Sequence, residues 1–537
     1  MQISRRDLFR SSAAVGGTAA LGSAGLADAA VAGPAVRGTT TSTVLGKGDA
    51  GAGGWRPVVR LAGEKHVVRT GLGAKPGKGR VRRRKAMAAF AQLSDVHIMD
   101  TQSPVRAELG EFASSSAYRP QEMLGAFVAD AMVREINKIK RGPATGRKLE
   151  FTIQTGDNSD TAQYNEVRWN IDLLDGGRKI TVDSGDPSRY EGVMDQSLDF
   201  WDVNFWHPDG TPVGKPADLG TQSGFPTYPG LLDAARRPFT PEGLNMPWYA
   251  AMGNHDGLVQ GNFPINASQN SRATGTAKVL STDGTRIRQV TPDRNRRLLD
   301  RSEWVDEHFD TTGTPKGHGF TAENRSKNTA YYYFDRGAAR FVVLDTVAEV
   351  GDNGALDKRQ HTWLTRLLDR SRDKVVVLFS HHPLSSFEDQ GLARKIRSEL
   401  VRRENVVAWV NGHTHTNHIW AHPRRKKGKV VGGFWEINTA SHIDWPQQAR
   451  LLEIADNRDG SLSIFTTMID HSGSLAFNGD LDDPKQLAGL SRLLAANDWQ
   501  ERDNERRGER TARNVELLVR APKFLRAKAK KNKKKKG

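Results

Sequence analysis

Asp95-Val96-His97, Gly156-Asp157, Gly253-Asn254-His255-Asp256, Ser380-His381-His382-Pro383 and Gly412-His413-Thr414-His415 are five short stretches dense in carboxylate, amide and imidazole groups. Each follows a run of apolar residues. Together they supply enough oxygen and nitrogen donors for two divalent cations side by side. Two such cations, roughly 3.5–4 Å apart, stabilise both the entering and the leaving oxygen of an in-line displacement at phosphorus. A donor set without thiolate suits manganese, iron or zinc. Asp-x-His and Gly-Asp are common alone, and a lone histidine is usually a hydrogen-bonded loop residue. Paired histidines in Gly-His-Thr-His rarely arise for packing, and all five stretches in order leave coincidence little room. His361, His418 and His422 lie in no such stretch and read as ordinary loop or packing residues.

The elements that must position these donors are legible as apolar runs. Ala86–Leu93, Leu149–Thr155, Trp248–Met252, Val375–Phe379 and Val406–Val410 read as strands, each delivering a donor at its carboxyl end. Tyr331–Phe334 and Arg340–Leu344 flank a turn and read as a hairpin, with further strands around 434–437, 450–454 and 462–468. Gln121–Ile139 and Gln360–Leu368 have helical periodicity. Strand followed by ligand, repeated, is the pattern of α/β sheets whose sites lie at the carboxyl ends of strands. The expected fold class is α/β: a two-sheet β-sandwich flanked by helices, with long insertions and basic tails.

Asp95-x-His97, Gly156-Asp157-x-x-Asp160, Gly253-Asn254-His255-Asp256, His381 and Gly412-His413-x-His415 resemble the motifs of the calcineurin-like metallophosphoesterase superfamily. The spacers are long, and the likeness is greatest to an exported, twin-arginine subset. It implies that Asp95, His97, Asp157 and His415 bind one metal, and that Asp157 bridges to a second held by Asn254, His381 and His413. It also implies that His255 serves the leaving oxygen, with Asp256 expected to orient its imidazole. Asp160 and His382 are expected around the site rather than on the metals. Purple acid phosphatases carry a tyrosine after Gly-Asp and lack the first-motif histidine; here Asp160 takes that place and His97 is present, so a tyrosinate-ligated ferric site is not expected.

The rest of the chain bounds its setting. Among 537 residues there is no cysteine, which excludes disulfides and thiol chemistry. Ser4-Arg5-Arg6-Asp7-Leu8-Phe9, an uncharged stretch to Ala27 and Ala27-Asp28-Ala29 together read as a twin-arginine signal peptide over residues 1–29, implying the twin-arginine export machinery as a partner and a secreted or cell-surface location. The net charge of +17 is largely matched by two clusters, Lys75–Lys85 and Lys523–Lys536. That leaves no basic groove to expect on the body. The terminal lysine run is either a solubilising tail or a tether to an anionic cell-wall or membrane surface.

Expected boundaries are a basic, Gly-rich linker at 30–86 and a metallophosphoesterase domain at 87–475 with insertions at about 161–247 and 257–328. A helical segment at 476–521 and the lysine-rich tail at 522–537 follow. The expected function is hydrolysis of phosphomonoesters or phosphodiesters by metal-hydroxide attack. The alternatives are a polyanion- or cell-wall-binding surface protein with a structural metal site, or a nuclease.

Overall fold

The computed structural model describes residues 35–112, 115–280 and 285–527. The twin-arginine segment and most of the lysine run lie outside the described residues.

In chain order, β1 (Thr43–Lys47) and β2 (Val58–Ala62) form an antiparallel hairpin. Then come β3 (Val67–Arg69), β4 (Lys85–Leu93), β5 (Thr152–Thr155) and β6 (Trp248–Ala251). A small hairpin, β7 (Ala277–Val279) and β8 (Ile287–Gln289), lies in the second insertion. The next six strands are β9 (Tyr332–Arg336), β10 (Ala339–Val343), β11 (Val375–Phe379), β12 (Val406–Asn411), β13 (His418–Lys426) and β14 (Lys429–Asn438). The last are β15 (Gln448–Asp456), β16 (Ser461–Asp470) and β17 (Val515–Arg520).

Two large sheets result. One has the order β3-β17-β16-β15-β4-β5-β6 and the other β13-β14-β12-β11-β10-β9. Within the first, β4, β5 and β6 are mutually parallel; within the second, β10, β11 and β12 are. Val375–Phe379 and Val406–Asn411 are buried along their whole length, which is why they read as unbroken apolar runs rather than alternating ones. Phe90 of β4 stacks on Phe151 at 4.8 Å and meets Phe341 and Phe379 of the other sheet edge-on at 5.5 and 5.7 Å. That aromatic knot joins the sheets and sets the parallel strands of both at one level. The α/β sandwich is thus the expected one.

Helix Gly125–Ile139 packs between the first sheet and helix Pro484–Asn497. A second apolar core, around Tyr118, Trp206, Phe225 and Leu490, forms where the first insertion meets that C-terminal helix. Both insertions are folded against the body and carry short helices such as Tyr164–Asp175 and Arg301–Glu307.

Two segments differ from the sequence expectation. The span expected as a linker, residues 30–86, is folded from residue 35: it contributes β1, β2 and β3, and buries Val44, Leu45, Val58 and Leu72. The segment expected to be helical, 476–521, ends as β17, which pairs with β16 and is itself covered by β3. Leu and Val mixed with charges fit either period locally; the neighbouring strand decides.

Remote from the motifs, His308 and His318 are buried beside Trp248 and Trp304. Burial pushes both imidazoles down to about 3. Between that value and the ordinary 6.5 the unfolded chain binds protons that the folded chain refuses, so stability falls as pH falls through this window. Each histidine is expected to cost on the order of 2 kcal/mol by pH 5. His308 Nε2 is buried without a hydrogen-bond partner, so His308→Phe should fold. Urea titrations at pH 7.5 and 5 should show a smaller acid loss in that variant than in the unsubstituted chain.

Candidate metal centre

The donors sit where the topology predicts. Asp95 and His97 follow β4, Asp157 follows β5, and Asn254 follows β6, so three adjacent parallel strands deliver them side by side. His381 follows β11 and His413 and His415 follow β12, likewise adjacent and parallel. Backbone bonds stitch the loops together: Asp95 N to Gly156 O at 3.1 Å, His97 N to Asp157 O at 3.0 Å and Gly412 N to His381 O at 2.9 Å. Across the sheets, His413 N donates to Asp95 Oδ1 at 2.9 Å.

The local backbone is held in an uncommon conformation. Asp95, His97, Asp157, His413 and His415 all have left-handed φ values, between 49° and 73°. Non-glycine residues avoid this region unless the surroundings over-determine it, and such strain concentrates at functional sites. The motif glycines answer to space. A Cβ on Gly253 would lie 2.2 Å from Asp157 N, and one on Gly412 would lie 1.9 Å from Ser94 Oγ.

Three imidazoles have their outer nitrogen committed. His97 Nδ1 pairs with Asp160 Oδ1 at 3.0 Å, His381 Nδ1 with Thr155 O at 3.0 Å, and His415 Nδ1 with Asp444 Oδ2 at 2.5 Å. Each outer N–H donates, so Nε2 is the nitrogen each ring turns toward the centre, where it can take a proton or a metal ion. His97 Nε2 then faces His415 Nε2 at 3.3 Å, and His381 Nε2 faces His413 Nδ1 at 3.3 Å. Facing nitrogens at that distance must share a proton or a metal ion, because two bare lone pairs would repel. Asp157 Oδ2 is 3.0 Å from His381 Nε2, and Asp95 Oδ1 is 3.3 Å from His415 Nε2. Asn254 Nδ2 donates to Gly261 O, while its buried Oδ1 accepts no hydrogen bond.

These observations are the test of whether metal fits, and the residues fit. Asp95, His97, Asp157 and His415 each offer an atom within 4.8 Å of the others. A second group, His381, His382 and His413, meets the same distance. His382 is the weaker donor there, because its Nδ1 meets Thr346 Oγ1 at 2.9 Å and its Nε2 meets Asp352 O at 3.1 Å. The electrostatics agree. Burial opposes ionisation of Asp157, yet His381 and His255 hold its carboxyl well below the usual range. Burial also opposes protonation of His381, yet Asp157 outweighs it and lifts the imidazole to about 9. A proton there occupies the potential well that a divalent ion fills. His413 is pushed down to about 3 by burial and by His381, which keeps it neutral.

Asp256 is placed otherwise than expected. It does not orient the His255 ring: its carboxylate accepts from the backbone N–H groups of Gly253, Asn158 and Ser159 at 2.9–3.0 Å and ties two motif loops together. The partner of His255 is Asp160, whose carbonyl oxygen is 2.8 Å and carboxylate 3.3 Å from His255 Nδ1. Burial alone would lower His255, but Asp157 and Asp160 outweigh it and raise the imidazole to about 9. His361, His418 and His422 stand apart from the centre; His361 and His422 pair with Glu399 and Glu436.

Asp444 was not singled out by the motifs. It is buried, and Arg119 at 2.6 Å and Arg506 at 3.7 Å hold it against His415. Ser441-His442-Ile443-Asp444 follows β14 as the other donors follow their strands, and that position is the available signal. His442 reaches the same loops, donating its backbone N–H to Asp95 O.

A family profile described as calcineurin-like phosphoesterase matches residues 223–417, a little over a third of the chain. It covers the Asn254, His381, His413 and His415 stretches but begins after Asp95 and Asp157. None of the curated proteins matches. Among solved structures, a dimetal phosphatase from Danio rerio is 13% identical over 72% of this chain and 100% of its own, with a TM-score of 0.34. PhoD is 12% identical over 84% and 81%, TM-score 0.31. The purple acid phosphatase PPD1 of yellow lupin is 9% identical over 76% and 55%, also 0.31. The profile match, with the donor clusters, supports a hydrolytic, metal-dependent phosphoesterase.

Removing the charge behind His415 tests the centre's construction. Asp444→Asn keeps a hydrogen-bond acceptor but loses the carboxylate. It is expected to weaken manganese binding by the metal-stripped chain about ten- to a hundredfold, read by EPR titration, with circular dichroism confirming the fold.

Proposed function

We propose that the chain is an exported dinuclear metallophosphoesterase that hydrolyses phosphomonoesters or phosphodiesters. One observation carries the reading: two pairs of imidazole nitrogens face each other at 3.3 Å beside the carboxylates Asp95 and Asp157. In this reading Asp95, His97, Asp157 and His415 hold one divalent ion. Asp157, Asn254, His381 and His413 hold the other. Manganese, iron and zinc suit such donors. When bound, a metal pair supplies Lewis acidity and brings the pKa of water toward neutrality.

The chain's own groups do the rest. Asp157 has two carboxylate oxygens and can serve both donor sets, which an imidazole cannot. Asn254 adds an oxygen donor without charge, so an anionic phosphate ester is not repelled. In the metal-free chain Asp157 and Asp160 favour the imidazolium of His255 and raise it to about 9. Its Nδ1 is fixed on Asp160, and Nε2 has no protein partner among the described residues. That nitrogen is available to give a proton to the departing oxygen. Asp256 acts one step back, holding the loops that carry Asn158 and Gly253. Export by the twin-arginine route is motivated by Arg5-Arg6 and the uncharged stretch after them.

The test is hydrolysis of p-nitrophenyl phosphate and bis-p-nitrophenyl phosphate by metal-stripped protein, with manganese, iron or zinc restored in turn. Turnover that returns with metal is expected, and the preferred ester separates monoesterase from diesterase. His255→Ala should lower kcat by about 10²–10⁴-fold while the chain keeps both metals. Asp157→Asn should lose metal and turnover together. Metal analysis giving the reverse pattern for these two variants would defeat the role assignments.

A further inference from the structure

Several exposed cations of the folded body lie together at one end. The lead-in segment exposes Lys75, Lys78, Arg82, Arg83 and Lys85, and none has a carboxylate partner among the described residues. Arg80 and Arg84 of the same run are used differently: Glu516 neutralises both, at 2.7 and 2.6 Å. The β13–β14 hairpin turns through Arg425, Lys426, Lys427, Gly428 and Lys429, all exposed, its cations likewise without a carboxylate. Gly73 lies against the Val430 backbone, where a Cβ would come within 2.7 Å of Val430 O, so the lead-in and the hairpin are neighbours.

A third segment joins them. After β17 the chain turns at Pro522, and Arg526 shares Glu404 with Arg424, at 2.9 and 3.4 Å. Lys523 is exposed there, and the lysine run begins a few residues further on. Four acids of this end are engaged by ion pairs or hydrogen bonds. Glu516 and Glu404 hold arginines, Asp456 pairs with Arg458, and Asp459 accepts from Gly77 N and Ser461.

This end is opposite the metal centre. Lys85 opens β4 and Asp95 follows its close; the nine residues of that strand, at about 3.3 Å each, set them roughly 30 Å apart. Lys429 opens β14, which runs parallel to β12, and the far end of β12 delivers His413. The cations sit on turns and strand beginnings, not along a groove. The nearest recess, beside Pro522 and Phe524, is lined by Asp369, Glu399 and Glu404 as well as arginines, and offers no uniformly positive track for a polymer strand. A distributed set of unpaired cations without a groove matches an extended anionic surface.

We propose that this pole docks on an anionic phospholipid bilayer and holds the metal centre toward solution on the far side. The attraction is electrostatic, with no membrane-spanning helix among the described residues. Each cation near such a surface tightens binding about fivefold, and salt weakens the whole.

Sedimentation of the full chain with vesicles of phosphatidylcholine containing phosphatidylglycerol tests this, with pure phosphatidylcholine as control. Binding confined to the anionic vesicles and falling with salt is expected. R425E/K426E/K427E/K429E should bind at least several hundredfold more weakly, four cations at about fivefold each, with hydrolysis of a soluble ester unchanged. Replacing the lysines of residues 530–536 by glutamine tests the tail separately. If that variant loses all binding while the hairpin variant keeps it, the folded pole is not the docking face. Retention on a soluble polyphosphate with none on vesicles would equally overturn the bilayer, as would no binding to either. Vesicle binding is read without catalysis, so its failure is distinct from failure of the phosphoesterase reading.

Discussion

The centre depends on one constraint: the outer nitrogens of His97, His381 and His415 are committed to Asp160, Thr155 O and Asp444. Without that commitment the rings would be free to rotate, and nothing would hold the inner nitrogens toward one point. With it, the inner nitrogens converge beside Asp95 and Asp157, and together they form a well of negative potential that a divalent ion can fill. The left-handed backbone at five donor residues is the conformational cost of aiming them inward, and the loop-to-loop hydrogen bonds hold it in place. The aromatic contacts of Phe90 with Phe341 and Phe379 matter for the same reason, since they keep the strand ends of two sheets at one level.

The donor-bearing strands were legible because each is a short apolar run ended by a polar motif. Burial on both faces removed the alternation that marks a half-buried strand, so their short length and the motif that ends them are what identify them. What could not be read was pairing at a distance. Asp160 rather than Asp256 meets His255, although Asp256 is adjacent in sequence, because the loop after β5 crosses the loop after β6. Adjacency along the chain put Asp256 on the opposite side of its own turn. Asp444 depends on Arg119 and Arg506, which come from two separate, distant segments, and no local spacing announces such a triad.

The same reason explains β17. Val515-Glu516-Leu517-Leu518-Val519-Arg520 is ambiguous by itself, and Glu516 looks like a residue for solvent. In the fold it is buried because Arg80, Arg84 and Ser463 satisfy it, and those partners belong to the lead-in and to β16. A buried carboxylate with two arginines is tolerable where one alone would be costly. The lead-in is therefore part of the body: it completes both the sheet edge and the ion pairing of its last strand.

Net charge misleads in a related way. Matching the total to two clusters implied a neutral body, yet the Arg424–Lys429 hairpin is a third basic run whose charge acids elsewhere cancel in the sum. A sum over the chain loses position, and position is what a field depends on. Parallel strands impose the direction here: they end at the donors, so whatever lies at their beginnings lies at the other pole. Lys85 and Lys429 stand at those beginnings, and the lysine run leaves from the same end. The topology that assembles the metal centre thus also segregates it from the basic surface, leaving the face around His255 free of the polycationic segments that would otherwise compete for a phosphate ester.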